Sequence, residues 1–396
     1  MPHHKYLIVG GGMTADAAVR GIRSVDQDGS VGILSDEDDP PYDRPPLSKG
    51  LWSGVPVERI WRHTEELGAT LHLGRRALRL DCDQRQVTDD RGAIYTYEKL
   101  LLATGLSPKR LPDDSPQVIY FRTFRDFVRL QEAANNGRRF AVVGGGFIGS
   151  EIASALAQQG KTVTMLFPED RICANILPAA VGDHLTRLFV ERGVTVRAGV
   201  QVTAVRRSGD KMLVSLTGDG PETLKVDTVV VGIGCEPNTV LAEGAGLEVN
   251  DGVVVDQSLR TTDPDVFAAG DVAAFWSPLL GRTLRIEHES HANDSGHLAG
   301  VAMAGQSAQY DGLPHVYSDL FEDVHYEIVG DVDPEMETVE DWAVPLERGI
   351  IYHLRSGEVR GILLWNIKGK AKAARDLIRA ENSFFRFDDS ARIPLD

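Results

Sequence analysis

Two glycine runs hold the residues best suited to chemistry in this chain. The first is Gly10-Gly11-Gly12 within Leu7-Ile8-Val9-Gly10-Gly11-Gly12-Met13-Thr14-Ala15. The second is Gly144-Gly145-Gly146 within Ala141-Val142-Val143-Gly144-Gly145-Gly146-Phe147-Ile148-Gly149. Each follows a short apolar run and precedes an alanine-rich stretch of helical period, so each reads as strand, tight turn and helix. A turn without side chains lets a pyrophosphate reach the backbone, and the helix N-terminus behind it offers free N–H groups and a partial positive charge. Gly10, Gly12, Met13, Thr14 and Ala15 form one candidate phosphate site, and Gly144, Gly145, Gly146, Phe147, Ile148 and Gly149 a second. A single run of this kind also serves plain packing. Two in one chain imply two nucleotide cofactors, one that brings electrons and one that receives them.

In such a unit a carboxylate at the end of the second strand holds a ribose diol, roughly 20 residues beyond the glycines. Asp36 directly follows the expected strand Ser30 to Ser35, with Glu37 as its neighbouring alternative. Glu169 follows the expected strand Thr162 to Phe167 in the second unit. A carboxylate there repels a 2′-phosphate and favours NADH over NADPH; Arg171, two positions on, works against that preference.

Pro40-Pro41-Tyr42-Asp43-Arg44-Pro45-Pro46-Leu47-Ser48-Lys49-Gly50 reads as a rigid, exposed turn, because proline fixes φ and bars a regular strand. It is either a proline-rich linker or a stiff scaffold that holds Arg44 and Lys49 for a site. The stretch Thr261 to Asp271 reads as a short strand that ends in an exposed Gly270-Asp271. Asp271 suits a sugar-alcohol chain, with a helix cap as the lesser alternative. Cys82, Cys173 and Cys235 lie far apart, with no Cys-x-x-Cys or Cys-x4-Cys spacing, so neither a redox disulfide nor a metal cluster is expected.

These residues need elements to position them. The 396 residues suffice for two or three domains. A 42% hydrophobic, 25% charged composition is that of an ordinary globular protein. A net charge of −16 disfavours nucleic acid and anionic membranes. No apolar run approaches the ~20 residues of a membrane span. Met1 to Tyr6 leads straight into the first strand, so no signal or transit peptide is expected, and the expected location is cytoplasmic. Short strands run from Val87 to Leu102 and end at Ala103-Thr104-Gly105; another ends at Thr228 to Gly234. Near the C-terminus, Gly349 to Leu354 and Val359 to Trp365 read as strands joined by a Ser356-Gly357 turn. A helix follows from about Ala371 to Glu381, with Ala373, Leu377 and Ile378 on one face.

In this order the motifs resemble those of two-dinucleotide-binding flavoprotein oxidoreductases. Pro41-Tyr42-Asp43-Arg44-Pro45-Pro46-Leu47-Ser48-Lys49 is similar to the motif shared by apoptosis-inducing-factor-like proteins and the NADH-dependent ferredoxin and rubredoxin reductases. Gly144 to Glu151, Leu166-Phe167-Pro168-Glu169, Ile176-Leu177-Pro178, Ile286-Glu287-His288, Tyr317-Ser318-Asp319-Leu320 and Gly361 to Ile367 resemble the apoptosis-inducing-factor-like group in particular. The resemblance spans nearly the whole chain and points to a compact homologue of prokaryotic type.

The resemblance implies an α/β fold class: two Rossmann-like dinucleotide-binding domains and a C-terminal α+β domain. Residues 1–115 and 239–312 would bind FAD, 116–238 NADH, and 313–396 would form the third domain. The cofactors FAD and NADH/NAD+ would meet face to face, and hydride would pass from nicotinamide C4 to flavin N5, which needs alignment and electrostatics rather than a nucleophile. Lys49 would stand beside flavin N5, paired with Glu151, and stabilise negative charge on the reduced ring. Taken singly, Lys49 reads as a solvated cation and Glu151 as helix-dipole complementarity. Phe147 would pack on the nicotinamide, against the alternative of a core residue. Arg44, joined by Arg122, would bind FAD, with Ala77, Thr104, Gly105, Gly270 and Asp271 around it. Glu287 and His288 would lie near the flavin and nicotinamide; His288 is either a proton relay or a structural histidine. Gly234, Glu327 and Asn366 match positions that contact NADH. Tyr317 stands where the family usually has tryptophan, which implies weaker stacking on the cofactor.

The leading expectation is an FAD-dependent NADH oxidoreductase whose acceptor is unidentified: quinone, a small redox protein or oxygen. It carries with it a stable reduced-flavin–NAD charge-transfer complex. One alternative is a ferredoxin or rubredoxin reductase, for which Lys368, Lys370, Lys372 and Arg375 could offer a basic docking cluster, although these residues read first as a charge-balanced helix end. Another is an NADH-sensing binding module with little turnover, including a homodimer formed in response to NADH. A DNA-directed role does not carry over at net charge −16.

Overall fold

A computed structural model of the chain describes residues 1–218, 222–380 and 392–395. The chain divides into two units: Met1–Pro46, Val55–Ser107 and Glu236–Pro314 in the first, and Leu47–Gly54, Pro108–Cys235 and His315–Asp396 in the second. The proline-rich segment is therefore split, with Arg44 in the first unit and Lys49 in the second.

In the first unit Leu7, Ile8 and Val9 are buried within the strand His3–Val9. A continuous apolar run, rather than an alternating one, is what a parallel strand covered on both faces requires. The strand pairs in parallel with Val31–Leu34 and with Ile94–Leu102. They lie inside a seven-stranded sheet that also includes Ala69–His72, Gln86–Asp89, Ala77–Asp81 and Val266–Ala268. The helix Met13–Val25 packs against Glu289–Met303 at backbone distance. A Cβ on Gly21 would lie 2.0 Å from the His297 carbonyl oxygen, and one on Gly300 2.1 Å from that of Ala18, so both crossings depend on glycine.

The second unit repeats the plan. Arg139–Val143 lies between Thr162–Leu166 and Thr228–Val231 in a five-stranded parallel sheet, and the helix Phe147–Gln158 follows its glycine turn. An antiparallel ribbon is formed by Gln201–Ser208, Lys211–Thr217 and Glu222–Val226. The same unit contains a five-stranded antiparallel sheet ordered His315–Leu320, Val324–Gly330, Glu358–Trp365, Arg348–Arg355 and Glu337–Val344. Ser356 and Gly357 both have positive φ, 58° and 83°, as a two-residue turn matching the strand twist requires. The last helix covers Ala371–Ala380 and buries Ala374 and Ile378, with Ala373 and Leu377 at the margin. Its expected end at Glu381 lies outside the described residues.

Two expectations need correction. No residue of Pro40 to Gly50 is exposed; Pro41, Tyr42, Leu47 and Ser48 are buried. Proline content signalled rigidity correctly, but tight packing covers the turn. Gly270 is likewise buried, donates its N–H to Ser295 Oγ and begins the short 3-10 turn Gly270–Val272.

Candidate functional site

The two glycine turns have the same construction. Gly10 and Gly144 have φ of +118° and +117°, and a Cβ on either would lie within 2.2 Å of a carbonyl oxygen on the neighbouring strand's loop, Ala103 in one case and Gly232 in the other. These glycines set the backbone path. Gly12 and Gly146 differ. A Cβ on Gly146 would meet nothing within 4 Å, and one on Gly12 only the Arg44 guanidinium at 3.8 Å. Both are N-caps of helices, and neither helix end is closed by a side-chain cap. Open space above an uncapped helix N-terminus fits the pyrophosphate of a dinucleotide.

The ribose candidates are arranged differently from each other. Asp36 is exposed, 3.8 Å from Arg76 Nε. Glu37 is half-buried and occupied: it accepts the Tyr42 hydroxyl at 2.6 Å and pairs with Arg44. Burial disfavours the Arg44 cation, but Tyr42, Glu37 and Asp271 outweigh this and raise its pKa. Glu169 is half-buried beside Asn175, while Arg171 turns to Asp170 at 2.6 Å, with its stem packed along Gly182.

Lys49 and Glu151 meet in the second unit. The Lys49 ammonium lies 2.8 Å from Glu151 Oε1, with the carboxylate 2% exposed. Ser318 donates to the same oxygen at 2.7 Å, and Ser48 to Oε2 at 2.6 Å. Glu151 is buried because it sits one turn into a helix that packs on the sheet, yet each of its two oxygens accepts from a donor. The ammonium lies 5.2 Å from the centre of the Tyr317 ring, a cation–π contact. Phe147, at the helix start, stacks on Tyr326 at 5.9 Å, and Tyr326 stacks on Trp365 at 5.5 Å. The Cys173 thiol reaches the Tyr326 hydroxyl at 3.6 Å, and burial pushes it up to about 11, so it is a poor nucleophile. The arrangement offers one cation held by a buried, hydrogen-bonded carboxylate, suited to stabilising negative charge beside it.

The profile of the pyridine nucleotide-disulphide oxidoreductases matches residues 4–296. The chain belongs to this family. It is an FAD- and NADH-dependent oxidoreductase. It is 30% identical to an apoptosis-inducing-factor protein of Drosophila melanogaster mitochondria over 99% of its own length, but spans only 65% of that protein. It is 36% identical to the ferredoxin–NAD(+) reductase component of the anthranilate 1,2-dioxygenase system of Burkholderia cepacia, covering 80% of each chain. Among solved structures, putidaredoxin reductase in its covalent complex with putidaredoxin aligns with a TM-score of 0.89 at 27% identity, covering 96% of this chain and 94% of that one. Despite the family's name, the three cysteines here are free thiols. Among the described residues no group of three or more His, Cys, Asp or Glu could hold a metal ion, and no helix is long and apolar enough to cross a membrane.

The remaining candidates sort by geometry. In the first unit Thr104 and Asn238 exchange side-chain and backbone hydrogen bonds at 2.8 Å, and Gly105, at φ 61°, accepts the Asn238 N–H. Ala77 opens an edge strand, paired with Asp89. Asp271 lies in the turn after Gly270, near enough to Arg44 to raise its pKa. Glu287 is exposed and paired with Arg285 at 2.7 Å. His288 caps the helix Glu289–Met303: its Nδ1 accepts the Ser290 N–H at 3.2 Å. Met13, Thr14 and Ala15 are buried in the first helical turn. In the second unit Ile148 is exposed at the helix start and Gly149 is pressed against Gly144. Gly234 is exposed with φ 96°. Arg122 precedes a capping box formed by Thr123 and Asp126. It belongs to a different unit from Arg44. Glu327 accepts from His315 and His325. Asn366, at φ 51°, spends its amide on the His325 N–H and the Glu347 carbonyl.

Sequence reasoning missed Ser48, Ser318, Cys173, Tyr326, His315 and His325 as neighbours of this site. Ser48 and Ser318 lie within quoted motifs, but serine carries no signal of its own until the carboxylate it serves is placed.

Proposed function

We propose that this protein takes electrons from NADH, bound at the Gly144–Gly149 turn, onto FAD, bound at the Gly10–Ala15 turn, and passes them to a separate small redox protein. Hydride acceptance and onward electron transfer are the chemistry FAD supplies when bound. The observation that carries the reading is the Lys49–Glu151 pair, immobilised by Ser48 and Ser318 next to the second glycine turn. In this reading Lys49 holds positive charge where the reduced ring develops negative charge, and Glu151 holds Lys49. Asp36 and Glu169 take the two riboses; Arg44 and Asp271 serve the FAD side; Phe147 and Tyr317 face the nicotinamide. Residues 1–115 with 239–312 form the FAD domain, 116–238 the NADH domain and 313–396 the third, in a cytoplasmic protein. An iron–sulphur carrier is favoured as acceptor because the Burkholderia relative is a ferredoxin–NAD(+) reductase component and putidaredoxin reductase, solved in complex with putidaredoxin, is among the structural neighbours.

The sequence resemblance to the apoptosis-inducing-factor-like group, to which the Drosophila relative belongs by name, motivates a second reading: an NADH-responsive protein with slow turnover that holds a long-lived charge-transfer state or changes its assembly. Anaerobic stopped-flow mixing of the FAD-loaded protein with NADH separates the two. Fast bleaching of the flavin, followed by rapid reoxidation on adding a [2Fe-2S] ferredoxin, supports the reductase. A slow bleach with a persistent long-wavelength band and an NADH-dependent change in hydrodynamic size supports the second reading and overturns the first. In the same experiment Lys49→Ala should retain FAD and bleach more slowly; unchanged kinetics would remove Lys49 from the mechanism.

A further inference from the structure

The sheet face that carries Tyr317 also carries four titratable side chains joined in one row. Strands His315–Leu320 and Val324–Gly330 pair Tyr317 with Glu327 and Asp319 with His325. The two-residue period of a strand puts His315, Tyr317 and Asp319 on the same face as His325 and Glu327. His315 Nε2 donates to Glu327 Oε2 at 3.2 Å. His325 Nε2 donates to Glu327 Oε1 at 3.2 Å, and its Nδ1 donates to Asp319 Oδ1 at 2.7 Å. A neutral imidazole has one N–H, whereas His325 has a carboxylate oxygen at each nitrogen, an arrangement that fits the imidazolium. The backbone is held as well: Asn366 Oδ1 accepts the His325 N–H, and the His325 carbonyl accepts the Asn366 N–H, each at 2.7 Å.

The charged groups that face His325 are Asp319 and Glu327, one from each strand. Behind them, Lys49 and Lys368 act on Asp319, and Arg375, from the last helix, lies 3.4 Å from His315 Nδ1. Lys49 is thus a neighbour of this row as well as the partner of Glu151.

We propose that His325 and His315 are positioning residues for the nicotinamide dinucleotide: they hold both oxygens of the ionised Glu327 on the face shared with Tyr317, so that loss of the His325 proton weakens NADH binding more than it slows hydride transfer. This rests on the reading that NADH binds to the second unit. With the imidazolium in place, one cation lies between two carboxylates. Without its proton, one carboxylate loses its donor, Asp319 and Glu327 repel each other, and uncompensated negative charge faces an anionic ligand. Burial opposes the His325 charge, but the hydrogen bonds and charges of Asp319 and Glu327 outweigh it and raise its pKa to about 9. Hydrogen bonds from His315 and His325 bring Glu327 down to about 2. Glu327 therefore stays ionised throughout the neutral range, and His325 is the group that titrates above it.

The test uses the FAD-loaded full chain. NADH dissociation constants are taken, anaerobically from about pH 7 to 10.5, from the NADH-concentration dependence of the flavin-bleaching rate, whose saturating limit reports hydride transfer separately, and the His325 ring protons are titrated by NMR on the NADH-free protein. In the parent, the dissociation constant should rise through pH 9, by up to about tenfold per unit above the midpoint, and the ring should titrate at the same midpoint. His325→Gln, which can donate to only one carboxylate, should bind NADH several-fold more weakly at pH 7 and lose the alkaline rise, with KM affected more than kcat. His325→Arg restores a cation with several donors and should return affinity towards the parent value without the pH dependence. An affinity independent of pH in the parent, a His325 ring titrating near the ordinary histidine value, or equal affinity in His325→Gln and parent would each overturn the proposal. If the FAD-loaded parent fails to bind NADH at pH 7, the dinucleotide reading itself is wrong.

Discussion

The Lys49–Glu151 pair is buried enough that its energetics can be tested apart from any turnover. Lys49→Met removes the cation and leaves a carboxylate that is 2% exposed with only the Ser48 and Ser318 hydroxyls. Removing one partner of a buried ion pair costs ~3–5 kcal/mol. Two hydroxyl donors remain here, and a hydrogen bond to a charged group contributes ~1.5–3 kcal/mol. Lys49 is itself 17% exposed, so water reaches part of the gap. Together these place the loss at the low end, about 3 kcal/mol. Glu151→Gln keeps an acceptor but strands the ammonium, at about 2 kcal/mol. The double variant has neither charge and should cost about as much as Lys49→Met alone, giving a coupling energy of about 2 kcal/mol. Urea unfolding of the four proteins at one fixed FAD concentration measures this, because bound FAD adds the same linkage contribution only when its concentration is held constant. Additivity within ~0.5 kcal/mol would mean that the pair behaves like an exposed surface bridge, and the assignment of Glu151 as the residue that immobilises Lys49 would fall.

The other expectations concern the cradles and one buried histidine. Gly144→Ala should destabilise the protein by more than ~2 kcal/mol, because φ is +117° and the new Cβ would lie 2.2 Å from the Gly232 carbonyl oxygen. Gly146→Ala should leave the melting temperature nearly unchanged yet weaken NADH binding, since only a ligand would occupy that space; equal effects at the two positions would refute the distinction. Glu169→Ala should raise the NADPH to NADH ratio of kcat/KM about tenfold, or ~1.4 kcal/mol, and NADPH already preferred in the parent would show the ribose assignment to be wrong. Burial lowers His291 from 6.5 to about 4, although Asp271 and the Gly270 carbonyl oppose this. The unfolded chain therefore binds the extra proton first as pH falls, and stability should drop by roughly 3 kcal/mol between pH 6.5 and 4. Acid unfolding should be shallower in His291→Gln across that window; an unchanged pH dependence would assign the acid transition to other groups.

Much of this protein is determined by residues close together in the chain. Strand, glycine turn and helix are local events: apolar runs at 7–9 and 141–143, three glycines, then small helix formers, all within about a dozen positions. The Ser356-Gly357 hairpin is equally local, because two adjacent residues must take positive φ. Which glycine steers the backbone and which leaves room for a ligand is not local. Gly144 and Gly146 look alike in sequence and differ because Gly144 takes a φ of +117° against the Gly232 carbonyl, while nothing lies within 4 Å of a Cβ on Gly146. The surroundings of Lys49 are further removed still. Ser48 lies 103 positions from Glu151, and Ser318 lies 167. His325 is one histidine among 11 until strand register sets it between Asp319 and Glu327. Residue spacing along the chain determines what the backbone can do within a turn or two. Which donors surround a buried charge depends on the packing of separate elements, since that alone brings distant side chains within hydrogen-bond reach.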